Sequence, residues 1–347
     1  MKSKFSKGVM MFIGAVFLMV EAVFSAVGIN TSIQVDSSMQ LHCNGVTQEF
    51  WVDYIIGNLF KNDKFLNYCF NESEYVLEGA VVHIPQAGAK PSVVKNRSSF
   101  PATAVRRTDT DITYPLDAYS TDPTHIPDAE AAELSYNKMD SVLGEHVASL
   151  SEAYADDMLY KWAPTVATQM VRTSGAAVGT ALATAATGTR KKFMKEDLKE
   201  AQRIMNKQNI PTEDRYALIP TDMLAQLMED ADLIKRDGAY GNEVDLKAGI
   251  VLKLYGFNIM ERSSVLEYTT ATPPVPYAPG SVGTTTDHLA ALCWQKNQVC
   301  MAKGSTKFFE NLKDALYYGD VYSAEIRLGG RKRRSGGEGV VAIVQTA

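Results

Sequence analysis

A chain of 347 residues, 46% hydrophobic and 22% charged, is long enough for one large composite domain or two, with a sizeable core. Its formal net charge of −5 argues against a globally basic nucleic-acid binder and leaves room for local basic patches only. The four cysteines, Cys43, Cys69, Cys293 and Cys300, form no CxxC pair, which excludes a disulfide scaffold or a zinc site built on close thiol pairs and predicts free thiols.

Lys2, Lys4 and Lys7 precede an apolar run from Val9 to Val20, closed by Glu21, with the small residues Ser25 and Ala26 beyond it. A basic start, an apolar middle and a small-residue end make an export-signal pattern. The run is short for a membrane span, so no stable membrane association is expected. Two other readings stand beside export. Translation starts downstream, at Met10, Met11, Met19 or near Val27, or residues 1–27 are a true apolar arm.

Over residues 50–66, Trp51, Ile55 and Leu59 follow helical spacing and predict an amphipathic helix. Ala80–Ile84 and Arg106–Tyr114 read as two strands flanking a Pro/Gly/Ser-rich tip, a long hairpin with little apolar material of its own. The clearest element is a helix over 128–163, bounded by Pro127 and Pro164 and capped by Asp128. Tyr136, Met139, Leu143, Val147, Leu150, Tyr154, Met158 and Trp162 form one apolar stripe along it, as befits a spine lying on a sheet, with Gly144 as a candidate kink. The Ala/Thr/Gly-rich stretch 164–190 predicts a mobile loop.

Further along, helices are expected over 193–209 and from Thr221, with a buried strand at Arg215–Ile219 between them. A strand over 249–260 bends at Gly256. Helices are expected from Thr286 through Cys293 and over Lys307–Leu316, and strands near 320–328 and 338–345. The last two are joined by Gly329 through Gly337. Mixed elements without regular strand–helix–strand alternation predict an α+β fold.

Residues with catalytic chemistry are not brought together by any motif. HExxH, GxSxG and a phosphate loop are absent, and His42, His83, His125, His146 and His288 are scattered, so neither an enzyme nor a cofactor or metal is expected. The sharpest charged feature is Arg331-Lys332-Arg333-Arg334 between glycines. It reads either as a basic turn in solvent or as a tip facing DNA or an acidic neighbour, held by non-specific phosphate electrostatics.

Three segments resemble tailed-bacteriophage major capsid proteins. They are Asn209-Ile210-Pro211-Thr212-Glu213-Asp214-Arg215-Tyr216-Ala217-Leu218-Ile219-Pro220, then Gly249 through Gly256-Phe257-Asn258-Ile259, and Tyr317-Tyr318-Gly319-Asp320-Val321-Tyr322 followed by Gly339–Val344. The resemblance spans roughly residues 40–347 and implies the Hong Kong 97-like fold. It implies an N-terminal arm (1–73), an extended hairpin loop (74–120), a peripheral domain (121–165 and 305–338) carrying the spine helix, and an axial domain (166–304 and 339–347). It further implies a virion subunit that assembles in the host cytoplasm into pentamers and hexamers of an icosahedral head around double-stranded DNA, with scaffold, portal and decoration proteins as further partners. The alternatives are an exported surface or adhesive protein, motivated by residues 1–27, and a nanocompartment shell of the same fold.

Overall fold

The computed structural model describes residues 60–76, 81–127, 138–230 and 249–347. In chain order the elements are β1 (Phe70–Asn71), β2 (Val81–Gln86), β3 (Thr110–Pro115), β4 (Asp117–Ser120), β5 (Thr124–Pro127), helix α1 (Lys138–Trp162), β6 (Met170–Arg172), β7 (Ala177–Val178) and β8 (Arg190–Lys191). Then follow α2 (Lys195–Lys207), β9 (Arg215–Pro220), α3 (Thr221–Met228), β10 (Ile250–Leu254), β11 (Phe257–Arg262), β12 (Leu266–Tyr268), β13 (His288–Gln295), β14 (Val299–Asp314), β15 (Gly319–Lys332) and β16 (Val340–Val344).

Two sheets organise the chain. A seven-stranded mixed sheet runs β10-β11-β9-β13-β16-β6, with β12 also on β13. A five-stranded sheet runs β1-β14-β15-β4, with β5 continuing along β15. The seven-stranded sheet is buried on both faces, so its central strands read as unbroken apolar runs. Tyr216 and Leu218 of β9 face one core, with α1, while Ala217 and Ile219 face another, with α2 and α3. The first core joins both sheets to the spine: Phe65 meets Trp162 and Trp294 edge-on at 6.0 and 6.3 Å, and both indole N–H groups donate to main-chain carbonyls, of Cys300 and Tyr68. Satisfying those donors is what lets two tryptophans be fully buried.

The structure corrects several sequence expectations. The helix expected from Thr286 through Cys293 is strand β13, whose eight residues are all buried in the middle of the seven-stranded sheet. The helix expected over Lys307–Leu316 is the outer part of β14, an extended ribbon paired with β15 as far as Asp314. Gly329 and Gly330 lie inside β15 and not in a connecting turn, for a steric reason. A Cβ on Gly330 would sit 2.7 Å from the Met158 sulfur and 2.5 Å from the Cys300 carbonyl, and one on Gly329 would sit 2.7 Å from the Pro115 carbonyl. The glycines let the spine helix and the hairpin base close onto β15.

The stretch 164–190 is pinned and not a free loop. Its side chains are too small to build a core, so its carbonyls are held by long polar side chains. Buried Arg190 donates to the carbonyls of Thr187, Thr189, Thr285 and Asp287, Gln226 donates to Thr180, and Gln345 to Ala181. The strand bent at Gly256 is a tight hairpin, with Tyr255 and Gly256 both at positive φ between β10 and β11. The helix expected over 50–66 falls mostly outside the described residues, and its described end is a 3-10 turn, Lys64–Tyr68. The first ten residues of the expected 128–163 helix also lie outside them, and α1 runs unbroken through Gly144.

Candidate functional site

Among the described residues no group of His, Cys, Asp and Glu is arranged to hold a metal ion. Cys69, Cys293 and Cys300 are free and buried, and burial pushes each thiol up to about 12, so none is a ready nucleophile. The features that bear on function are surfaces: the hairpin, the basic segment, the outer ribbon and one groove along the spine.

The hairpin β2–β3 buries its base and nothing else. Val82, Ile84, Ile112, Tyr114 and Leu116 form a small core with Cys300 and Ala302. From Ala89 to Asp111 every residue is exposed, including Val93, Phe100 and Val105 at 94%, 78% and 86%. The expected second strand starts later than Arg106, at Thr110. Arg107 is turned onto Asp109, and Asp109 accepts from the Gly88 amide across the hairpin.

The basic residues meet at that base. Arg331 and Lys332 are strand residues, not turn residues. Arg331 donates to the Thr113 carbonyl of the hairpin (2.7 Å) and Lys332 to the Ala163 carbonyl at the end of the spine (2.7 Å). Burial holds the Lys332 ammonium below its ordinary pKa. Arg333 lies 3.9 Å over the Phe70 ring and donates to Glu72 (3.0 Å), and Arg334 donates to the Gln298 side chain (2.8 Å). Glu72, 2% exposed, also accepts from the Tyr114 hydroxyl at 2.9 Å. Burial raises the Tyr114 pKa, so the phenol stays a donor. Arg331, Lys332 and Arg333 thus tie the hairpin, the end of α1 and the segment around β1 to the end of β15, while Arg334 holds Gln298. Sequence reasoning singled out the cations and missed Glu72, whose only signal is its place in a short polar stretch.

The outer end of the β14–β15 ribbon is open on both faces. Phe308, Phe309, Leu312, Leu316, Tyr317 and Tyr318 are all half or more exposed. The spine stripe divides in the same way: Leu150, Tyr154, Met158 and Trp162 are buried, whereas Val147 is exposed and Val142 and Leu143 are half-covered. Beside that uncovered half lies a groove of about 640 Å³, between α1 and the β4–β5 segment.

No family model and no curated protein matches the sequence. Solved structures do match in fold. A chain from Mycobacterium phage Che8 is 17% identical with TM-score 0.57, over 86% of this chain and 97% of that one. The capsid of Cyanophage P-SCSP1u gives 18% and 0.60, over 86% and 92%. The capsid of Cyanophage Pam1 gives 11% and 0.61, over 89% and 98%. At these identities the likeness is one of fold, and it covers 86–89% of this chain. The chain has the α+β Hong Kong 97-like fold of phage capsid proteins.

Proposed function

We propose that the protein is a structural shell subunit that self-assembles into pentamers and hexamers of an icosahedral phage head enclosing double-stranded DNA. The observation that carries this reading is the hairpin, whose residues 89–111 are all exposed, with Val93, Phe100 and Val105 left uncovered among the described residues. Exposed apolar patches of this kind mark contact surfaces. The fold supports it, since the neighbours named above include phage capsids. In this reading residues 1–73 are the N-terminal arm and 74–120 the extended loop. Residues 121–165 with 305–338 form the peripheral domain, and 166–304 with 339–347 the axial one. The protein works in the virion after assembly in the host cytoplasm, with scaffold, portal and decoration proteins as further partners. Arg334, the exposed member of the basic run, is the one best placed for packaged DNA or a neighbouring subunit.

The test is to express the chain in bacterial cytoplasm and examine it by size-exclusion chromatography and negative-stain electron microscopy. Closed shells, rings or tubes are expected. A monomer that persists at high concentration, in crowding agents and with a co-expressed scaffold would defeat the reading.

A further inference from the structure

Residues 173–192 form a strap against the start of β13 and the end of β16. Val171 and Phe193 anchor its two ends in the core, but between them only Ala181 and Ala183 are buried apolar side chains. A segment that buries so little apolar surface is held by polar contacts, and such segments open first. Those contacts converge on His288, the first residue of β13. Arg190 of the strap donates through Nε and Nη2 to the Asp287 carbonyl, at 3.2 and 3.1 Å, on the peptide bond that leads into His288. On the other side Arg172 donates to the carbonyl of Gln345 (3.2 Å), and Gln345 is bonded to Leu289 through both its amide and its side chain. The imidazole flanked by these two guanidinium groups is 5% exposed, and its Nδ1 has no hydrogen-bond partner among the described residues.

The remaining groups around His288 offer little to balance a further positive charge. Asp287 spends its carboxylate on Thr284 and Tyr277. Glu267, on the strand that pairs with β13, accepts from the amide and hydroxyl of Thr184. Tyr268, the register partner of His288, donates its hydroxyl to the Pro164 carbonyl, and Gln345 is neutral. A second proton on the ring would set a third cation beside two guanidinium groups in a buried site. Burial, then Arg190 and Arg172, already hold the His288 pKa down to about 4.

We infer that His288 is a proton-operated pin: while its ring is neutral, Arg190 keeps the strap fastened to the sheet, and when the ring takes a proton the strap lets go with the two cores intact. Opening returns His288 to water and to an ordinary value near 6.5, so acid favours the open form. The opening equilibrium should rise about twentyfold between pH 7 and pH 5. The inference is independent of the shell reading, since it concerns one chain.

Amide hydrogen exchange of the full chain decides it, read by mass spectrometry at pH 7, 6 and 5 and divided by the rates of the urea-unfolded chain at each pH. Peptides covering Thr187 and Lys191, whose amides bond the Thr285 and Thr346 carbonyls, should lose protection about twentyfold by pH 5, while β9 and β16 keep theirs. His288→Gln, neutral at every pH, should abolish that loss. Asp197, whose buried carboxylate holds Ser174 (2.7 Å), is a second acid-sensitive fastening, and the His288 variant separates the two. If His288→Gln fails to fold, Arg172 supplies the test: Arg172→Lys keeps the charge and should keep the pH dependence, whereas Arg172→Gln should make it shallower. Carbon-13 spectra of the histidine-labelled chain should show one ring still neutral at pH 5. Unchanged protection at Thr187 and Lys191 between pH 7 and 5 would overturn the inference. A loss that spreads equally to β9, or that persists in His288→Gln, would overturn it as well.

Discussion

Glu72→Ala removes the carboxylate on which the hairpin base depends. Glu72 is almost fully buried and accepts from Tyr114 at 2.9 Å and from Arg333 at 3.0 Å, while its own amide donates to the Met301 carbonyl. Breaking a buried ion pair by deleting one partner costs about 3–5 kcal/mol. The Arg333 side chain is 27% exposed and can recover some hydration, so the lower side applies, about 2–3 kcal/mol. Glu72→Gln keeps an acceptor for Tyr114 and loses the charge, for about 1–2 kcal/mol. Because Tyr114 and Glu72 touch, Glu72→Gln combined with Tyr114→Phe should cost less than the sum of the two singles. Urea unfolding of dissociated subunits gives the global cost, and hydrogen exchange at 81–86 and 110–115 reports the hairpin itself. Unchanged stability together with unchanged protection of those amides in Glu72→Ala would refute the reasoning.

Other expectations follow from single positions. Gly330→Ala should destabilise by about 1–3 kcal/mol, because its methyl would press on Met158 and the Cys300 carbonyl, and Met158→Ala should relieve part of that in a thermal-melt cycle. Arg215 is buried and donates to the carbonyls of Ile210 and Pro211, so Arg215→Lys, lacking the fork, should lower stability by about 2–3 kcal/mol and expose 209–214 to limited proteolysis. His288 is held down to about 4, first by burial and then by Arg190 and Arg172. Between about 6.5 and 4 the unfolded chain takes up the proton and the folded one does not. The stability from neutral His288 is therefore complete above about 6.5 and falls as pH drops towards 4, by up to about 3 kcal/mol. His288→Gln should flatten that slope in urea titrations at pH 7, 6, 5 and 4.5, and an unchanged slope would contradict it.

The spine and the short helices were legible because each lays an apolar stripe on a sheet and is punctuated by proline or a cap: Leu150, Tyr154, Met158 and Trp162 are buried as their spacing requires. The two misread helices have opposite causes. In His288–Gln295 both faces are covered, so Leu289, Leu292 and Cys293 mimic a helical period inside a continuous buried run. In Lys307–Leu316, Phe308, Leu312 and Leu316 stand four apart by sequence, yet pairing with β15 imposes an extended backbone. Those same residues are exposed, so no core enforced the pattern that the spacing implied.

The candidate surfaces were legible in part. The cations of 331–334 stand out in the sequence, but their partners are Thr113, Ala163, Glu72 and Gln298, brought in from distant segments. The hairpin's lack of a core is visible from composition. The groove is not, since α1 and the β4–β5 segment come together only in the folded chain.

The central claim, that this chain builds a closed shell from copies of itself, is tested most directly by cryo-electron microscopy of the purified full-length protein. The account predicts closed particles or rings built from many copies of the chain, and monodisperse monomers at every concentration would contradict it.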